Sequence, residues 1–122
     1  MRARVAFATL ASAGLILGAV AAPALAHSEL VSSTPAKGST VKHLPRTVVL
    51  TFSEPLAKVT SVKLLHYGVH DHATSARLNP RNARQVLVRT AMDEAGVYTV
   101  RALVVADDGH REIITYKFTV KR

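Results

Sequence analysis

The chain contains no cysteine. That excludes thiol catalysis, disulfide staples and lipid attachment at a lipobox cysteine. No G-x-S-x-G elbow supports a serine nucleophile, and neither a phosphate-cradling glycine loop nor an H-E-x-x-H pair occurs. Internal repeats and low-complexity linkers are also missing. Methionine is confined to Met1 and Met92. Basic residues outnumber acidic ones, but no basic run exceeds Lys121-Arg122, so the charge reads as a solvated surface rather than a nucleic-acid groove.

What is present begins with a targeting pattern. Met1-Arg2-Ala3-Arg4 is a short basic opening. An uncharged stretch of apolar and small residues follows from Val5 to Ala24, ending in Ala24-Leu25-Ala26. This order predicts a secretory signal peptide over residues 1–26, cleaved before His27. A membrane anchor is the alternative, since the stretch is near the minimum length for a span. Its many alanines and glycines and the A-x-A ending favour cleavage, leaving a product that does not span the membrane. Residues 27–122 then form one domain with a modest core. Sixteen Lys and Arg, less Arg2 and Arg4, leave 14 against 8 acidic residues, a net +6. An exported domain this small often carries disulfides. Without them, stability rests on the core, or partly on a bound metal.

Period-two alternation dominates the remainder. In Ile114–Lys121 the even positions are apolar and the odd ones polar, as a half-buried strand requires. Val48, Leu50 and Phe52 alternate with Thr47, Val49 and Thr51 in the same way. Val62–His66, Gln85–Thr90 and Val97–Ala106 are further strands, with short ones around Leu30–Ser32 and Thr74–Leu78. Pro35-Ala36-Lys37-Gly38, Asn79-Pro80-Arg81-Asn82, Asp93-Glu94-Ala95-Gly96 and Asp108-Gly109 separate them as turns. About seven short strands and no amphipathic helix beyond the signal predict an all-β, antiparallel Greek-key sandwich of immunoglobulin-like type.

Six histidines, at positions 27, 43, 66, 70, 72 and 110, leave metal chemistry as the main candidate. Cleavage before His27 would create an α-amine beside its own imidazole, a ready chelate. With an ordinary pKa of about 7.7–8.0, that amine gives up its proton to copper at neutral pH. Asp108 and His110 offer a carboxylate and a second imidazole at spacing i, i+2. If the strand continues, both project from the face carrying Tyr98, Val100, Ala102 and Val104. Three nitrogens and one carboxylate oxygen suit tetragonal Cu(II). D-G-H alone is more often an ordinary turn, and an N-terminal histidine alone is weak. Their combination is the signal.

The segment His27-Ser28-Glu29-Leu30-Val31-Ser32-Ser33-Thr34-Pro35-Ala36-Lys37-Gly38-Ser39 resembles the opening of the CopC family of copper resistance proteins. Leu50-Thr51-Phe52-Ser53-Glu54-Pro55-Leu56 is similar to its second strand. Gly96-Val97-Tyr98-Thr99-Val100, Asp107-Asp108-Gly109-His110 and Tyr116-Lys117-Phe118-Thr119-Val120 are similar to its C-terminal half. The resemblance implies a cupredoxin-like β-sandwich that binds copper in the periplasm and serves copper tolerance or uptake, without catalysis. It makes His27, Asp108 and His110 the metal ligands and places Glu54 near the copper as a possible additional partner. An exposed turn glutamate is the plainer reading of Glu54. Ala102, Ala106 and Arg111 stand where the family commonly has Trp, Ser and Pro, which leaves the ligands intact and alters their surroundings. Any membrane copper importer would be a separate chain.

Family members with a second, Cu(I) site carry a methionine-rich stretch after Val-Lys-Leu, because soft thioethers select Cu(I). Here that stretch reads Leu65-His66-Tyr67-Gly68-Val69-His70-Asp71-His72, which removes the thioether site. His66, His70 and His72 share one parity and offer a weak borderline-metal site. A polar loop with His66 packed behind Val62 and Leu64 is the favoured reading. His43, beside Pro45, reads as merely solvated. Two other functions remain open: a histidine-brace copper oxygenase, which also uses an N-terminal histidine, and a metal-free immunoglobulin-like interaction module.

Overall fold

The computed structural model describes residues 28–122; the signal-peptide segment and His27 lie outside them. Nine strands follow in chain order: β1 (Leu30–Thr34), β2 (Thr40–Val41), β3 (Thr47–Phe52), β4 (Leu56–His66), β5 (His70–Asp71), β6 (Ala73–Asn79), β7 (Asn82–Thr90), β8 (Gly96–Ala106) and β9 (Arg111–Val120). They form a four-stranded sheet in the order β1-β3-β7-β6 and a five-stranded sheet in the order β2-β9-β8-β4-β5. The all-β sandwich expected from the alternation is therefore the fold. β2 and β5, of two residues each, add to the seven strands expected, and β2 runs parallel to β9 against the otherwise antiparallel pairing.

The period-two pattern decides which faces meet. Along β3, Val48, Leu50 and Phe52 are buried; along β8, Tyr98, Val100, Ala102, Val104 and Ala106 are. Val86 and Val88 of β7 and Tyr116, Phe118 and Val120 of β9 close the core between the sheets. Tyr98 and Phe118 lie 5.4 Å apart with nearly parallel rings at its centre. Burying such side chains is worth about 1.5–3 kcal/mol each, which is how a chain without disulfides holds together.

β4 begins at Leu56, six residues before the strand expected at Val62. Register shifts between Leu56 and Lys58 and between Val59 and Ser61 explain the discrepancy. Each bulge inserts a residue and resets the parity, so Leu-Ala-Lys-Val-Thr-Ser shows no alternation although it pairs with β8.

Candidate functional site

At one end of the sandwich three chain segments meet. Ser28, only 1% exposed, donates its hydroxyl to the Glu54 carbonyl at 2.9 Å. The neighbouring Glu29 and Ser53 exchange two bonds: Glu29 N–H donates to Ser53 Oγ at 2.9 Å, and Ser53 N–H to the Glu29 carbonyl at 2.8 Å. The β3–β4 turn is joined in turn to the β8–β9 turn, because Asp107 N–H donates to the Pro55 carbonyl at 3.3 Å. The chain directly after position 27, the Glu54 loop and the Asp107–His110 turn thus form one rim.

Asp108 and His110 share a strand face only if β8 continues past Ala106, and it does not. β8 stops at Ala106 because its even-numbered face is the core face, where a carboxylate would be buried. Asp107, Asp108 and Gly109 form a tight turn, closed by Gly109 N–H to the Ala106 carbonyl at 2.9 Å and Ala106 N–H to the His110 carbonyl at 2.8 Å. Gly109 takes φ +88°, a conformation open to glycine at no steric cost. The two side chains meet nonetheless. Asp108 Oδ1 accepts the backbone N–H of His110 at 2.9 Å, and Oδ2 lies 2.9 Å from its Nδ1. A carboxylate against one ring nitrogen is the arrangement that orients an imidazole for ligation through the other. With side chains 39% and 33% exposed, His110 and Asp108 are accessible to an incoming ion. This donor set, one imidazole and one carboxylate on a fixed rim, fits a borderline metal ion, copper among them.

The opposite end holds a second group, some eight residues back along β8 and so roughly 26 Å away at 3.3 Å per residue. His66 closes β4, and His72 sits where the chain crosses from β5 in one sheet to β6 in the other. His72 N–H donates to the Leu64 carbonyl at 2.8 Å and its carbonyl accepts Ala91 N–H at 2.9 Å, so the crossover is tied to both sheets. The rings are 9% and 2% exposed as residues, stand 5.0 Å apart and pack on Tyr98 at 5.0 and 5.4 Å. His66 is buried on the same face of β4 as Val62 and Leu64. His70, paired with His66 across β4 and β5, is exposed and does not join the group.

Glu94 takes that place. Its Oε2 lies 3.2 Å from His66 Nδ1 and 3.5 Å from His72 Nε2. The sequence reading treated Asp93-Glu94-Ala95-Gly96 only as a turn, and nothing in the spacing marks Glu94. His43 is also more than solvated: its Nδ1 meets Asp93 Oδ2 at 2.9 Å. Asp93 Oδ1 accepts Leu44 N–H at 2.7 Å and meets the Arg122 guanidinium at 2.9 Å. The Leu44 bond first, then His43 and Arg122, hold the Asp93 carboxyl below its ordinary value, against a desolvation that works the other way.

Across residues 30–121 the chain matches the model of the CopC domain. It belongs to the CopC family. Its curated relatives include protein YobA of Escherichia coli strain K12, 32% identical over 103 residues that cover 79% of this chain and 80% of YobA. Among solved structures it is similar to PcoC, described as a methionine-rich copper resistance protein from Escherichia coli, with 30% identity, a TM-score of 0.67 and coverage of 79% of this chain and 100% of PcoC. CopC from Methylosinus trichosporium OB3b shares the fold, at 24% identity and a TM-score of 0.71, over 78% of this chain and 94% of that one. Family membership makes this a copper-related β-sandwich protein. Among the described residues, no helix is long and apolar enough to cross a membrane.

Proposed function

We propose that this CopC-family chain is an exported, periplasmic or otherwise extracytoplasmic, Cu(II)-binding protein. It sequesters copper or hands it on, to a separate membrane importer among other recipients, and catalyses nothing. Residues 1–26 direct export and are removed; His27 supplies amine and imidazole, and Asp108 and His110 complete the square, with Glu54 nearby. The observation that carries this reading is the shared rim. Ser28 is pinned beside Glu54, whose loop is bonded to the turn that pairs Asp108 with His110. A chain starting at His27 would therefore begin next to the other donors, with little conformational entropy left to lose on binding.

The pairing of His110 with Asp108 favours a resting Cu(II) state over the oxygen chemistry of a histidine brace. Titrating the protein that begins at His27 with Cu(II) should show a tightly held equivalent that is lost in Asp108→Ala/His110→Ala, and no ascorbate-driven peroxide above that of free copper. Copper-dependent peroxide formation with turnover would replace this reading by the oxygenase.

A further inference from the structure

The group at the far end of β8 makes its own chemical demand. His66 Nε2 lies 2.9 Å from the Ala95 carbonyl, and His72 Nδ1 lies 3.0 Å from the Met92 carbonyl. A carbonyl can only accept, so each of these nitrogens carries the proton. The remaining nitrogens, His66 Nδ1 and His72 Nε2, turn their lone pairs toward Glu94 Oε2. Two lone pairs and a carboxylate oxygen, all within 4.8 Å of one another, converge between two buried rings and a half-exposed carboxylate. Such a convergence calls for a cation at its centre, either an added proton on one ring or a metal ion.

The geometry points to a metal: we propose that His66, His72 and Glu94 form a second site, for a borderline divalent ion such as zinc(II) or copper(II). Tetrahedral bonds of 2.0–2.1 Å place neighbouring ligand atoms about 3.3 Å apart. The observed separations of 3.2 and 3.5 Å match that edge. Both histidines also donate their other N–H to a backbone carbonyl, the support that fixes tautomer and ring plane in metal centres. Two imidazoles and a carboxylate are a zinc-type donor set, and they contain no soft ligand to select Cu(I).

The third ligand is held in place before any ion arrives. Glu94 N–H donates to the Met92 carbonyl at 2.9 Å, the Glu94 carbonyl accepts the Tyr98 hydroxyl at 2.7 Å, and Asp93 is tied to Leu44 and Arg122. Glu94 itself is half exposed, which gives the ion an entry path from solvent. Gly96 completes the arrangement: a Cβ there would come within 2.5 Å of His66 Nε2 and 2.8 Å of the Tyr67 ring, at φ +142°. Only glycine lets the His66 ring lie this close to the loop.

The test uses the Asp108→Ala/His110→Ala protein with one extra residue before His27, so that neither the rim pair nor the N-terminal chelate is counted. It is titrated with Zn(II) and, separately, Cu(II), with bound metal read by native mass spectrometry and thermal unfolding recorded in parallel. One equivalent of at least one of these ions should bind and raise Tm. Adding His66→Asn and His72→Asn, or Glu94→Gln alone, should weaken it at least tenfold. Because the histidines are buried, Glu94→Gln decides the matter if the double variant fails to fold. Absence of stoichiometric uptake of either ion, or unchanged affinity in Glu94→Gln, would overturn the site and leave a proton bridging the cluster. Retention of Cu(I) alone would overturn it too.

Discussion

Asp108 holds His110 at two points: Oδ1 takes its backbone N–H, and Oδ2 lies 2.9 Å from its Nδ1. A single carboxylate therefore sets both the turn and the ring. Asp108→Ala should lower Cu(II) affinity by more than the tenfold typical of losing an orienting partner, since on the proposed function it removes a ligand as well. His110→Ala should do the same. Asp107→Ala, at an exposed position whose backbone N–H is retained, should change affinity little. Equal losses for Asp107→Ala and Asp108→Ala, read by competition with a Cu(II) chelator, would contradict the rim.

Gly96 and His66 provide an independent check on the loop. Gly96→Ala has to displace the His66 ring or strain the backbone, because the new Cβ would lie 2.5 Å from Nε2. It should cost about 1–3 kcal/mol of stability, in the range of overpacking a filled site, and abolish metal uptake at His66 and His72 while leaving Cu(II) uptake at the rim intact. Denaturant unfolding and metal titration of the one variant report both.

The network at Asp93 makes stability depend on pH. Its folded carboxyl lies below the ordinary 3.8, chiefly because Leu44 N–H donates to it. The folded state thus binds this proton less readily than the unfolded one. The contribution is fully present above the ordinary value and is lost as pH falls through the lowered one. Asp93→Asn should lower Tm at pH 7, and the gap to the parent should close in strong acid. A gap that persists unchanged to the lowest pH at which the protein folds would show that the charge plays no part.

The rim and the pocket differ from a Cu(I) carrier in the same respect, the absence of thioethers. Adding a mild reductant to the Cu(II)-loaded protein should release copper to a Cu(I) chelator with no retained equivalent. The chain with His66, His70 and His72 changed to Asn should behave identically. A Cu(I) equivalent kept by the parent and lost by that variant would assign the loop to Cu(I).

Much of the fold was legible because alternation is a direct image of burial: Val48, Leu50 and Phe52 declare β3, and the even positions of β8 declare the core. The first half of β4 was not, since two bulges erase its parity. His66 and His72 could be paired by parity, but parity also suggested His70, which β5 turns outward. Glu94 could not be read at all. It reaches the histidines through the β7–β8 loop, 22 residues from His72 in sequence, and only the packing of Tyr98 and Asp93 brings it there. Asp108 and His110 were legible as a pair for a reason that changed: a turn, rather than a strand face, brings them together.

The proposed function stands on copper being held by an N-terminal His27 together with Asp108 and His110. Its most direct test is the mass of the exported protein, followed by Cu(II) titration of that protein against one carrying a single extra residue before His27. Both are made in the Glu94→Gln background so that only the rim is counted. The account predicts an exported chain starting at His27 that binds one tight equivalent, and at least a tenfold loss when the extra residue removes the amine chelate. Comparable affinity in the extended protein, or an exported chain that does not start at His27, would contradict it.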